Sequence, residues 1–425
     1  MIKSPYFILI VLFTSLLFSC SEKESSNSVI DQVRELQFEV VDSLIVDVME
    51  DVTILDYLEE LDPFRDLQFE VLDSLMVDVL EDLVILDYQV ELDQYLMKER
   101  RGGKIFLVNG KGELIEEIEL AGEGPNQVPM IWEGRFIGKD RYIFKEMSAT
   151  MDFHVFDRDF KKIEKIKGPA VGLNAIFISF FRQTFTIWNE GGKDLILGEE
   201  VNSYIPTAVD PLKIGGDFYN QVKSGFHYDL SQDSITYLNL YSKAWEPRKS
   251  NRWIGQSFPF LAFDPIRKKA SVLPPIGNQL FLYDLDGNSF INEKVVTLTH
   301  PDRTQDIPDP AQENMLYPSF SDVKTFGDYK LAIFYTGIPE DVYNEYRAKG
   351  ENYRQDPEYR AAVAKYRNPR YILIKEDQQI GILNKLPVEG DVNLGLADGT
   401  LIVKAADGKV EREYNLFYKI RLVEE

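Results

Sequence analysis

Residues Lys104–Gln127, KIFLVNGKGELIEEIELAGEGPNQ, decide how the rest of the chain is read. Ile105 and Leu107 belong to a short strand, Asn109-Gly110-Lys111-Gly112 has the composition of a turn, and Leu114, Ile115, Ile118 and Leu120 return as a second strand. Gly122-Glu123-Gly124-Pro125-Asn126 then leaves the hairpin through residues that tolerate or fix unusual φ. Looser versions recur to the C-terminus. Arg141–Lys145, Asp152–Phe156 and Phe160–Ile166 are short strands, Phe177–Trp188 is a long β-rich run, and Asp194–Gly198 is a strand after the turn Gly191-Gly192-Lys193. Gly225–Leu240 holds a pair, and Gln279–Asp284, turning at Asp286-Gly287-Asn288, repeats the opening hairpin most plainly. Tyr329–Tyr335, Tyr371–Lys375, Gly381–Leu386, Thr400–Lys404 and Glu411–Leu422 complete the series. Hairpins at intervals of roughly 40–50 residues have the period of propeller blades. The expected fold is therefore all-β, a β-propeller over 67–425 with about six blades and seven possible.

One stretch breaks the β pattern. Pro339–Tyr346 and Pro357–Arg367 carry helix signals: Asp356 can cap, Pro357 suits the first helical position, and Asn368-Pro369 ends the run. We read 339–368 as a helical insertion between two blades. Its Tyr and Arg residues, Tyr343 and Arg347 among them, either face a sugar or anion as a lid or pack against a blade edge.

Upstream lies a tandem duplication. Leu36–Asp62 and Leu67–Asp93 are identical at 20 of 27 positions at an offset of 31, and most differences exchange one apolar residue for another. Such closeness, absent elsewhere in the chain, marks a local duplication rather than a solenoid period. Alternation of Phe69 and Val71 with Gln68 and Glu70 favours strands. The 31–96 region holds twenty acids against Arg34 and Arg65, so its net charge of −18 is most of the chain's −23. A solvated strand face or a divalent-cation patch both fit that charge. The copy at 67–93 adjoins the first clear hairpin and takes the native place; the copy at 36–66 is expected outside the ring.

The single cysteine, Cys20, follows a basic residue, Lys3, and an apolar run, Tyr6–Phe18. Leu17-Phe18-Ser19-Cys20 resembles a bacterial lipoprotein signal, which implies cleavage before Cys20 and lipid attachment to it, with 1–19 as signal peptide and 20–35 as tether. Ser21 is not the Asp that retains lipoproteins at the inner membrane, so the expected address is the outer membrane, facing the periplasm or the exterior. The apolar run is short for a membrane span.

Several motifs extend the likeness: Gly122–Asn126 (GEGPN), Ser257-Phe258-Pro259 with Phe263-Asp264, Leu316–Asp322 (LYPSFSD) and Leu396–Leu401 (LADGTL). On these residues the chain, over about 67–425, resembles the six-bladed, TolB-like β-propeller lipoproteins of Gram-negative bacteria, in a branch known as a domain of unknown function. The resemblance implies a fold and an address and carries no activity. The duplicated copy departs from it.

Chemistry is thinly signed. A net charge of −23 excludes nucleic acid as a partner. The three histidines, His154, His227 and His300, are too scattered for a metal site. No nucleophile motif occurs, no catalytic residue is assigned, and no cofactor or metal is expected. Among the tryptophans, Trp188 lies in an apolar run, whereas Trp245 and Trp253 sit in a polar connection beside Arg248 and Arg252. Trp245, Arg248, Arg252, Trp253, Tyr343 and Arg347 are thus the candidate binding residues. Two functions follow. One is a lipid-anchored cell-envelope module that binds or scaffolds a glycan, peptide or protein, with the membrane reached through the lipid. The other is a polysaccharide-directed hydrolase or lyase with carboxylates at the propeller axis.

Overall fold

The computed structural model describes residues 67–170, 182–204, 214–304, 306–308, 315–406 and 412–424. Cys20 and the first copy of the duplication lie outside them. The chain opens with β1 (Leu67–Val77), and blade one follows as β2 (Leu83–Gln89), β3 (Gln94–Glu99), β4 (Lys104–Asn109) and β5 (Leu114–Glu119). Blade two is β6 (Ile131–Ile137), β7 (Arg141–Glu146), β8 (Phe153–Asp157) and β9 (Lys162–Ile166). Blade three is β10 (Phe185–Glu190), β11 (Lys193–Tyr204), β12 (Lys223–Asp229) and β13 (Ser234–Leu238). Blade four is β14 (Phe260–Asp264), β15 (Lys269–Leu273), β16 (Gln279–Asp286) and β17 (Ser289–Thr297). Blade five is β18 (Phe320–Phe326), β19 (Tyr329–Tyr335), β20 (Pro369–Lys375) and β21 (Gln378–Leu383). Blade six is β22 (Gly390–Gly395), β23 (Thr400–Ala405) and β24 (Asn415–Glu424), with β1 as its fourth strand. The protein is a six-bladed β-propeller, and the described residues form no seventh blade.

Within each blade all strands are antiparallel. Around the ring β2 lies beside β6, β6 beside β10, β14 beside β18, β18 beside β22 and β22 beside β2, while blade three meets β14 through β11. Apolar side chains fill one wedge between each pair of neighbouring blades. Leu86, Leu96 and Leu107 of blade one meet Phe136, Tyr142 and Phe144 of blade two, for example. Five further wedges join the remaining neighbours. A core divided this way explains why β3 and β4 are buried along their centres while β5, at the blade's outer edge, is mostly exposed.

The ring is closed by β1 on β24. Their antiparallel register runs from Leu67 opposite Glu424 to Val77 opposite Asn415, interrupted by one bulge near Leu72. Phe69, Leu75 and Val77 of β1 point into the core. Asn415 fastens the link from β1 to β2: its amide donates to Val79 O (2.9 Å) and Glu81 O (2.8 Å) and accepts from Leu83 N (2.8 Å). Gly112, in the turn of the opening hairpin, lies against this seam. Its φ is +92°, and a Cβ there would sit 2.1 Å from Met76 O, so both backbone and space require glycine.

The helical segment holds one correction. Helix α1 (Glu340–Arg347) and helix α2 (Pro357–Tyr366) form where caps and composition place them, and Asp356 accepts from Glu358 N (2.8 Å) as the N-cap of α2. They do not separate two blades, because β19 and β20 pair directly from Tyr329 with Lys375 to Tyr335 with Pro369. The insertion interrupts blade five.

Phe38, Leu44 and Val46 of the first copy match Phe69, Leu75 and Val77 of β1. From the second copy only residues 78–82 are needed to reach β2. Starting from the first copy, the link would be about 36 residues, and loop-closure entropy disfavours it by roughly twentyfold. Deleting 36–66 should therefore leave the midpoint of thermal unfolding within a few degrees of the full chain. Deleting 67–96 should lower it far more, unless the first copy, which that deletion joins to residue 97, slips into the vacated place; deleting both copies should then be far worse than deleting either. A fall of more than about 10 °C on loss of 36–66 alone, in calorimetry or circular dichroism, would make the first copy part of the ring.

Candidate functional site

A first strand pairs on one side only, so its other edge presents bare N–H and C=O groups towards the axis. In four blades that strand carries a bulge. The register slips between Ile85 and Asp87, Ile131 and Glu133, Phe320 and Asp322, and Val392 and Leu394. A bulge re-aims side chains, and here polar ones bridge neighbouring blades. Asp87 accepts from Phe136 N (2.9 Å), and Glu133 accepts from Thr184 N (2.8 Å) and Thr184 Oγ1 (2.6 Å). Asn393 pairs with Ile85 as a strand would, accepting from its N–H and donating to its C=O, each at 2.9 Å. Glu199 of β11 accepts from Leu261 N (2.7 Å). Arg135 donates to Leu86 O (2.7 Å) and Phe185 O (3.1 Å), tying three blades together.

Charge is balanced inside this ring. Arg135 pairs with Glu133, Arg182 with Glu199, Lys324 with Asp322 (2.9 Å) and Lys145 with Glu200 (2.7 Å), all largely out of water. Burial drives the Lys324 ammonium and the Arg182 guanidinium down from their ordinary values, with Asp322 opposing both. Asp87 is different. Burial pushes its carboxyl up, against Arg135 and the two backbone donors that favour the anion.

At the C-terminal ends of the first strands the ring opens into a cavity of about 600 Å³ lined from all six blades. Its wall is two-sided. Asp87, Arg135, Gln183, Asp322 and Lys324 supply charge and hydrogen bonding. Blade four answers with Leu261, Ala262, Phe263 and Pro265, flanked by Ile187 and Phe136. Val90 and Ile266, in the turns after β2 and β14, stand at the rim 72% and 74% exposed. Such a cavity suits a ligand with both an apolar surface and polar groups.

The six residues singled out from sequence lie elsewhere, in two separate clusters. Trp245 is fully buried: its indole N–H donates to Ile276 O (3.0 Å) and its ring stacks on Tyr241 at 5.2 Å. The polar connection after β13 folds over the wedge between blades three and four, and Trp245 is its anchor rather than an exposed platform. Trp253 is half-buried, stacked on Tyr219 at 5.7 Å. Arg248 donates to Asn220 Oδ1 (2.8 Å) and to Tyr241 O. Arg252 is exposed and reaches Ile307 O at 3.3 Å. Tyr343 is likewise buried, its hydroxyl 2.8 Å from that of Tyr353, so it cannot face a ligand. Arg347 is exposed on α1. The cavity residues had one legible signal, single acids or amides interrupting short apolar runs, as in ILD at 85–87 and VNL at 392–394.

No protein-family model matches the sequence, and no curated protein matches it. Solved structures do. A member of the DUF4221 family from Bacteroides vulgatus aligns over 85% of this chain and 100% of its own, at 7% identity and a TM-score of 0.61. A "Putative exported protein" from Bacteroides fragilis aligns over 85% and 96%, at 11% identity and a TM-score of 0.50. At these identities the likeness is one of fold.

Asp87 gives a pH test. A carboxyl raised by burial contributes stability that is fully present below its unfolded value, near 4, and is lost as pH rises through the folded value. Asp87→Asn keeps an acceptor for Phe136 N and removes the buried charge. The variant should melt above the wild type at neutral pH, with the difference shrinking as pH approaches about 4. Equal differences at all pH values, in melts from pH 4 to 8, would mean that Asp87 is ordinarily ionised.

Proposed function

We propose that this protein is a cell-envelope binding or scaffolding module, lipid-anchored through Cys20, whose axial cavity grips part of a glycan, peptide or protein partner. The observation that carries the reading is the two-sided cavity with its apolar rim. Val90 and Ile266 are large apolar side chains left in water beside a preformed concave site. The anchor is supported by the sequence around Cys20. Among the described residues no helix is long and apolar enough to cross a membrane.

The other reading, polysaccharide cleavage, is favoured by one observation: Asp87 combines an axial position with a raised pKa, as a general acid needs. It predicts that Asp87→Asn abolishes turnover of a bound glycan while leaving its binding intact.

Both rim positions are exposed, so substitution there spares the core. Wild type and the Val90→Glu, Ile266→Glu double variant should be compared on a glycan array and against envelope-derived peptides. Ligands retained by the wild type should be lost from the variant by about tenfold or more in affinity. Equal retention would place the site away from the axis.

Cys20→Ala tests the address separately. The variant should appear as soluble protein, whereas the wild type fractionates with the outer membrane. Unchanged membrane partitioning of the variant would mean that the N-terminus anchors without lipid.

A further inference from the structure

Beside the axial mouth, on the same face, a cleft of about 470 Å³ opens between blades four and five. Ala270 and Leu282, both buried, are among its apolar lining. It shares Asp264, Thr325 and Gly327 with the axial cavity. The turn after β14 is the ridge between them: Ile266 lines the axial side and Arg267 the cleft side.

The cleft's charges are nearly all spoken for. Arg267 pairs with Asp264 (2.7 Å) and Asp328 (2.5 Å), Lys294 with Asp377 (2.6 Å), and Lys269 with Asp284. Lys375 lies over the Tyr329 ring at 5.0 Å. Apart from Glu376, which is exposed, the exception is Lys330. Set on the second strand of blade five opposite Thr325 and Ile374, half-buried, it has neither an ion pair nor a hydrogen bond among the described residues. Burial lowers the pKa of its ammonium and Asp264 only partly restores it. A half-buried cation with no carboxylate in direct contact is costly. An anion entering the cleft would relieve that cost.

We propose that the cleft is a second subsite, continuous with the axial cavity, and that Lys330 there binds the carboxylate of an elongated acidic oligosaccharide. This rests on the axial reading above. The chemistry narrows the ligand in two ways. Five carboxylates, Asp264, Asp284, Asp328, Glu376 and Asp377, line the same cleft, so a single negative charge is accepted where a phosphate dianion is repelled. The paired Asp and Lys groups keep free lone pairs and N–H groups around an apolar surface, which suits sugar hydroxyls on one edge and a ring face on the other. Because the two cavities share a wall, one ligand several sugars long reaches both.

The test uses the full chain and calorimetric titration with oligogalacturonates of two and six residues, the methyl ester of the hexamer, and inorganic triphosphate. The acidic hexamer should bind tighter than the dimer, and tighter than its own ester by about tenfold, the worth of one charge-assisted hydrogen bond. Lys330→Met should reduce the acid to the level of the ester and leave the ester unchanged, and Lys330→Arg should restore the difference. A neutral rim variant, Val90→Ser, Ile266→Ser, should weaken acid and ester alike. If Lys330→Met binds the acid as the wild type does while the rim variant weakens it, the cleft inference fails and the axial reading stands. If neither variant changes binding, both fail. Binding of triphosphate in place of galacturonate, or of none of these probes, overturns the carboxylate assignment.

Discussion

The pairing of β1 with β24 is the constraint on which everything else depends. A six-bladed ring has no stable open form, because the wedges between blades are filled only when every blade has a neighbour on each side. The chain's first described strand completes its last blade, so the apolar cluster of Leu75, Val77, Leu83, Ile85, Ile402 and Phe417 joins both ends of the domain. Side-chain hydrogen bonds hold the same seam. Asn415 fixes the link after β1, Asn393 substitutes for a missing strand beside Ile85, and Lys404 reaches Leu83 O. These amides lie hundreds of residues from their partners in sequence and are buried, so each is worth more in the fold than its single hydrogen bond in water.

The same geometry decides what could be read from the sequence. Middle and outer strands were legible: β4, β5, β7, β16, β19, β20 and β23 fall where alternation and turns place them. Three of the first strands were not. β6, β18 and β22 carry no period of two, since their faces are largely buried and a bulge shifts the phase midway. The bulged strands are the ones that build the axial cavity, so the rule that hid the strand also hid the site. Trp245 and Tyr343 instead carry the sequence signal of a site, polar-flanked but buried by aromatic packing that sequence spacing does not reveal. The helices of blade five were legible because caps are local signals. Their place inside one sheet depends on a pairing across more than thirty residues.

Polar residues at the axis follow from strand geometry rather than from function. Any propeller leaves the inner edges of its blades unpaired, and without water each bare N–H or C=O costs free energy. Asp87, Glu133, Glu199 and Asn393 meet that need by accepting backbone N–H groups from the neighbouring blade. Blade four makes no such contribution. β14 has no bulge, its axial residues are Leu261, Ala262 and Phe263, and its Leu261 N–H donates to Glu199 of blade three. The apolar side of the cavity thus lies on the two first strands without a bulge, with Leu261, Ala262 and Phe263 on β14 and Ile187 on β10.

That origin bears on the choice between binding and cleavage. Hydrolysis needs two carboxylates free to exchange protons with a substrate. Glu133 is committed to Arg135 and Thr184, Glu199 to Arg182 and Leu261, and Asp322 to Lys324 and its neighbour's N–H at Val323. Protonating any of them would leave a buried cation unpaired, a cost of about 3–5 kcal/mol when such a pair is broken. Asp87 has no tight cationic partner and can change its charge at less expense, but it would act alone. A ring whose acids are held in place by structural duty is suited to presenting a fixed surface, and a fixed, two-sided surface is what a binding module requires.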